Sequence, residues 1–247
     1  MKTLRALWRL VRVLLHIAHG LAIVWSSFGG LDLAARRQRV QWWAGKLLAV
    51  LGASLHTRGQ AQPGPVLLAA NHVSWLDIVA IHALCPQTRF ISKAQVRHWP
   101  LLRTLVDAAG TLYLERERRR DALRVVHVMA EALQQGDTLA VFPEGTTGEG
   151  PRLLPFHANL LQAAIATGTP VQPVVLRFAD PRHAFSPAVA YVGDTSLLQS
   201  LWWVVCADGL QVHVTLLPAL PIAVGTERRA LAEQLQVQIA ASLAAAA

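Results

Sequence analysis

Two patterns of hydrophobic and polar positions divide the chain. From residue 2 to residue 28, basic residues recur at steps of three or four: Lys2, Arg5, Arg9, Arg12, His16 and His19. Leu4, Leu7, Trp8, Val11, Leu15, Ala18, Ala22 and Trp25 fall on the other side of the same period, which predicts one amphipathic helix. Gly29 and Gly30 mark a turn. A second helix is expected over residues 31–55, with Trp42, Trp43 and Lys46 as interfacial anchors. Past a linker at 58–64, short apolar runs alternate with helical segments. Strands are expected at 66–70, 89–92, 111–114, 138–142, 171–178, 188–192 and 211–217. Helices are expected at 75–84, 99–108, 118–134, 158–167 and 227–244. Such alternation predicts an α/β fold, a mixed, largely parallel sheet flanked by helices. The organisation expected is an N-terminal two-helix membrane anchor at residues 1–57, then an α/β domain at residues 58–247.

A basic stripe opposite a Leu/Trp stripe is the pattern of a helix lying in the headgroup layer. A single span competes with it, because residues 13–31 contain no Asp, Glu, Lys or Arg and just reach spanning length. The flanks do not orient such a span. Lys2, Arg5, Arg9 and Arg12 precede it, and Arg36, Arg37, Arg39 and Lys46 follow it. A segment that dips into one leaflet and returns keeps both flanks on the cytoplasmic side. A third reading packs both helices on the globular domain. A cleaved signal peptide fits poorly, since positive residues run deep into the apolar stretch and no A-x-A site follows.

Composition narrows the classes. Of 247 residues, 53% are hydrophobic and 15% charged, which excludes intrinsic disorder. Two cysteines far apart, Cys85 and Cys206, exclude a disulfide scaffold and give no C-x-x-C metal or redox spacing. The net charge is +8, carried by twenty Arg against three Lys, so polyanionic partners are expected. So apolar a chain, without a nucleic-acid-binding signature, points to a membrane surface rather than nucleic acid.

The candidate chemistry begins at the end of an apolar run, Val66 to Ala70, followed by Asn71, His72, Val73, Ser74, Trp75, Leu76 and Asp77. A His just past a strand's carboxyl end stands where α/β folds place their sites. Its imidazole can take a proton from an alcohol, and an Asp on the other ring nitrogen would fix the tautomer. Ser74-x-x-Asp77 also reads as a helix-capping box, in which Asp77 merely caps. A second apolar run, Thr138 to Phe142, ends in Pro143, Glu144, Gly145, Thr146 and Thr147. Gly145 allows close backbone approach, and Glu144 could bond a hydroxyl or hold the loop. Taken alone, Pro-Glu-Gly is also an ordinary turn.

Together these blocks resemble the glycerolipid acyltransferases, and among them the bacterial 1-acylglycerol-3-phosphate acyltransferases. The likeness rests on Asn71-His72-x-x-x-x-Asp77 and Phe142-Pro143-Glu144-Gly145-Thr146, with two weaker blocks in order. One is Gly110 to Arg116, preceded by Phe90-Ile91-Ser92-Lys93; the other is Thr169-Pro170-Val171-Gln172-Pro173-Val174. It covers roughly residues 60 to 180. What it implies is transfer of a fatty acyl group from a thioester to a lysophospholipid hydroxyl, first of all 1-acylglycerol-3-phosphate. His72 would be the general base and Asp77 its orienting partner. Lys93 and Arg116 would hold the acceptor's phosphate, with Glu144, Gly145 and Thr146 shaping that pocket. The oxyanion donors would be backbone N–H groups near Gly145. No bound cofactor and no metal are implied. The donor would be acyl-CoA or acyl-carrier protein, and the site would work on the cytoplasmic face of the inner membrane. Two positions depart from the family pattern. Thr147 stands where Arg is usual, and His157 where Lys is common. Either Arg116, Arg118, Arg152 and His157 compensate, or the acceptor carries another headgroup, as lyso-ornithine lipid does. A non-catalytic membrane-surface module and a hydrolase remain as other classes; the hydrolase lacks a G-x-S-x-G elbow.

Overall fold

The structure, a computed structural model, describes residues 2–93, 100–114 and 119–245. Helix α1 (Lys2–Ser26) and helix α2 (Leu33–Leu51) form an N-terminal hairpin around a short 3-10 turn at Phe28–Gly30. The Asp32 side chain accepts from Ala35 N at 2.7 Å and starts α2. Gly52, left-handed at φ 83°, ends it. The chain then enters strand β1 (Ala53–Arg58) directly. Alternation follows through β2 (Val66–Ala70), α3 (Leu76–Leu84), β3 (Thr88–Lys93), α4 (Pro100–Ala108), β4 (Leu112–Leu114), α5 (Arg119–Gln134) and β5 (Thr138–Val141). The last part holds α6 (Gln162–Thr167), β6 (Val171–Ala179), α7 (Leu197–Cys206), β7 (Leu210–Leu216) and α8 (Arg228–Ala244).

The seven strands form one mixed sheet in the order β1-β7-β6-β2-β5-β3-β4. Every pairing is parallel except β6 with β7. The expected fold class is therefore the one found. The central strand β2 is buried at all five positions because helices cover both faces, so it reads as a continuous apolar run rather than an alternating one. One face packs against α1, α2, α3 and α7 through Leu68, Ala70, Leu176 and Val212. The other packs against α5, α6 and α8 through Leu67, Ala69, Leu139 and Val171. Helix α8 presents Leu231, Leu235, Ile239 and Leu243, each four residues apart, as its buried stripe.

Three sequence expectations differ. The second helix stops at Leu51, because Gly52 turns the chain into β1, which pairs with β7 from Ala53 to Arg58. Residues 188–192 are not a strand. Their backbone closes over the loop after β2, where Tyr191 N donates to Val73 O at 3.1 Å. Helix α7, capped by the Ser196 hydroxyl, was not expected. Its residues are apolar on most sides and show no clear stripe.

The helix hairpin packs in an inverted sense. Arg5 pairs with Asp208 at 2.8 Å. Arg9 donates to Val205 O and Ala207 O at the end of α7. His16 bonds Trp43 O at 3.0 Å, while Trp43 Nε1 donates back to His16 O. Arg5, Arg9 and His16 of α1 thus face the protein, and Leu4, Trp8, Leu15 and Trp25 point outward with 61–74% exposure.

Candidate active site

Strand β2 delivers Asn71 and His72 at its carboxyl end, and the loop runs straight into α3. Asn71 is buried and spliced to β6. Its amide donates to Leu176 O at 2.9 Å, and its carbonyl accepts from Leu176 N at 2.7 Å. A polar side chain replaces the ladder where the backbone leaves the sheet, so no buried amide is orphaned.

His72 Nδ1 lies 2.7 Å from Asp77 Oδ2. The same oxygen accepts from Val73 N at 2.7 Å and Ser74 N at 2.9 Å. Asp77 is fully buried, and the imidazole keeps 19% exposure. The two readings of Asp77 are thus not alternatives. The carboxylate caps the start of α3 and also fixes the imidazole. With Nδ1–H donating to the carboxylate, Nε2 is left as a free base. Phe142, at the end of β5, stacks on the ring with centroids 3.8 Å apart and planes 10° apart. Phe90 of β3 stacks behind Phe142 at 5.8 Å. Ring packing and the carboxylate together lock the imidazole.

Glu144 is 4% exposed and reaches inward. Its Oε1 accepts from His72 N and its Oε2 from Leu154 N, each at 2.7 Å. One carboxylate thereby ties the β2 loop to the loop after β5. Burial raises its pKa above the ordinary carboxylate range, a push that these backbone donors only partly offset. Gly148 N donates to His72 O at 2.8 Å and closes the same junction.

Gly145 and Thr146 are exposed. Gly145 takes φ 72°, and a side chain there would press His157 Cδ2 at 3.0 Å. Its own N–H donates to Phe142 O at 3.0 Å. That bond removes the Gly145 amide from the expected oxyanion donors. Thr147 donates its hydroxyl to Tyr191 O. Lys93 closes β3 opposite Leu114 of β4. Arg116 lies outside the described residues. Among the described residues no group of three His, Cys, Asp or Glu could hold a metal ion. The site therefore brings together His72, Asp77, Glu144 and Gly145. Sequence reasoning missed Phe142 as the ring beneath the imidazole and Tyr191 as the partner of Thr147. An aromatic residue ending the strand beside β2 was the available signal for the first.

A base held by a carboxylate at the end of a parallel strand can take a proton from an alcohol as it attacks a carbonyl. A family model described as Acyltransferase matches residues 53–177. The chain belongs to the acyltransferase family. This acyltransferase is 38% identical over 250 residues to the lyso-ornithine lipid O-acyltransferase of Pseudomonas aeruginosa, covering 98% of this chain and 95% of that one. It is 35% identical over 217 residues to the 1-acyl-sn-glycerol-3-phosphate acyltransferase of Neisseria meningitidis serogroup B, covering 87% and 84%. The acyltransferase shares its fold with the crystal structure of the 1-acyl-sn-glycerophosphate (LPA) acyltransferase of Thermotoga maritima. There the TM-score is 0.75 at 18% identity, over 98% of this chain and 96% of that one.

Proposed function

We propose that the enzyme moves a fatty acyl group from an acyl thioester to the free hydroxyl of a lysolipid, with His72 as general base. The His72–Asp77 contact at 2.7 Å, with the imidazole still open to solvent, carries this reading. The acceptor hydroxyl gives its proton to Nε2 as its oxygen attacks the thioester carbonyl. The buried Asp77 stabilises the imidazolium that results. The tetrahedral oxyanion collapses, the C–S bond breaks, and the leaving thiolate takes the proton back from His72. The donor is acyl-CoA or acyl-carrier protein.

The first acceptor is 1-acylglycerol-3-phosphate, which would yield phosphatidic acid, with Lys93 and Arg116 on the phosphate and Gly145 and Thr146 at the mouth. A specific observation favours a second acceptor, lyso-ornithine lipid. Position 147 offers no cation, and the Thr147 hydroxyl is bonded to Tyr191 O. A dianionic phosphate loses a charge-assisted contact there, whereas a headgroup with its own ammonium does not need it. The Pseudomonas aeruginosa relative, matched along nearly its whole length, carries that name.

The inverted packing of α1 supports work at a membrane surface, which we propose to be the cytoplasmic face. Thr3–Ser26 is long and apolar enough to cross a membrane, with 22% of its most apolar stretch buried. Arg5 and Arg9 are turned to the protein and the Leu/Trp stripe to the outside, which suits a helix lying in one leaflet. An enzyme held there meets its acceptor without pulling it from the bilayer.

The deciding assay offers labelled acyl-CoA or acyl-carrier protein to the purified full chain, with each lysolipid in turn. Transfer to one of the two acceptors is expected, and His72→Ala should lower it by roughly 10²–10⁴-fold. Full activity in His72→Ala, or release of free fatty acid without an acceptor, would sink the proposal.

A further inference from the structure

A second cluster of basic side chains lies away from the site. His56 of β1, His213 of β7 and Arg177 of β6 sit side by side across three neighbouring strands. The two imidazoles stack with centroids 4.9 Å apart. With Arg58 they line a pocket of about 220 Å³, to which Thr215 and Ser242 add hydroxyls and, among the described residues, no carboxylate contributes. Among the described residues, no ion pair engages either guanidinium or either imidazole. Arg177 Nε is buried with no partner there, although Nη1 donates to Ala184 O at 3.0 Å. His213 is held below its ordinary pKa, first by burial and then by Arg177 and His56. Two guanidiniums, Arg58 and Arg177, face a concave site lined by imidazoles and hydroxyls, with no acid among the described residues. An anion would pair with both guanidiniums and take up the open Arg177 Nε donor.

The position selects the kind of anion. Leu176 and Val212, neighbours of Arg177 and His213 in sequence, face the side of the sheet where α1, α2 and α7 pack. Arg177 and His213 alternate to the other face, under the C-terminal end of α8. The pocket therefore opens away from the amphipathic helix hairpin. A lipid headgroup in a membrane under that hairpin lies on the wrong side, whereas a water-soluble phosphate ester has free access. The pocket also borders the loop after β5. Val175 and Leu243 line it and pack in one cluster with Leu153 and Phe156 of that loop.

We propose that this pocket binds the phosphate groups of a water-soluble phosphorylated ligand, and that the ligand is the coenzyme A portion of the acyl donor. The second half rests on the acyl-transfer reading above. Arg58 and Arg177 hold the phosphate oxygens between the flanking His56 and His213, and Thr215 and Ser242 complete the donor set.

The test is calorimetric titration of the purified full chain with coenzyme A, 3′-dephospho-coenzyme A and inorganic pyrophosphate, beside flotation with vesicles containing anionic phospholipid. Arg177→Gln and Arg58→Gln are made singly, with thermal melts to establish folding. Removing one charge-assisted contact should weaken coenzyme A and pyrophosphate binding by roughly tenfold or more. The KM for acyl-CoA should rise in parallel, and vesicle binding should not change. Arg58 lies at the end of an edge strand, so Arg58→Gln carries the test if Arg177→Gln does not fold. Unchanged coenzyme A and pyrophosphate affinity in a folded variant would overturn the proposal. Loss of vesicle binding alone would also overturn it, in favour of a headgroup. Because titration needs no turnover, coenzyme A binding that survives in a chain inactive on every lysolipid would separate this pocket from the acyl-transfer reading.

Discussion

Two buried carboxylates organise the site, and both act first on backbone. Asp77 gathers three donors on one oxygen, two of them main-chain N–H groups. Glu144 divides its oxygens between His72 N and Leu154 N. The resemblance implied that Glu144 shapes the acceptor pocket. Its contacts suggest a strut that sets the height of His72 above the loop. Glu144→Gln separates these roles. A Gln carbonyl can accept from only one of the two N–H groups, and its NH2 would face the other. That mismatch costs about 1–3 kcal/mol. The expected outcome is a lower melting temperature and a lower kcat, with little change in acceptor KM. A raised acceptor KM at unchanged kcat would instead place Glu144 in contact with the acceptor.

At the scale of elements, the α1–α2 hairpin makes the clearest prediction. Trp8 and Leu15 are 61% and 64% exposed, so replacing both with Ser removes little packing and should leave the melting temperature nearly unchanged. Binding to anionic vesicles should fall sharply, because each exposed apolar side chain contributes about 1.5–3 kcal/mol when it enters an apolar phase. Vesicle binding unaffected by the double substitution would count against docking through this face. Legibility in the sequence followed the same physics. Strand β2 was readable because burial on both faces forces an unbroken apolar run, and α1 because one stripe is apolar. Strand β1 was not, since Ala-Ser-Leu-His-Thr-Arg lies at the sheet edge and pairs with β7 alone. Residues 188–192 have strand-like composition, yet their backbone bonds the loop after β2 instead of a ladder. The His72–Asp77 pair was legible because both partners lie within one turn and its cap. Glu144 was legible only as a loop residue, because its donors stand 72 and 10 residues away.

At the scale of the whole molecule, acid stability turns on His82. It lies on α3, five residues beyond Asp77, packed edge-on against Phe90 with ring centroids 5.0 Å apart. Burial pushes its pKa from 6.5 down to about 4. The unfolded chain therefore binds a proton between those values that the folded chain refuses. Stability from this residue is complete above about pH 6.5, falls as pH drops toward about 4, and changes no further below it. The loss amounts to roughly 3 kcal/mol. Glu144 works in the opposite sense, since burial raises its pKa and protonation at falling pH relieves its desolvation. The two trends overlap, so a pH profile of the native chain alone does not separate them. His82→Leu does, because it removes one titrating group and leaves Glu144 in place. Urea midpoints of the two chains should diverge as pH falls from about 7 to about 4.5, the variant holding its midpoint better. Parallel profiles would show that His82 takes up its proton without opening the core, and the origin of acid unfolding would then lie elsewhere in the fold.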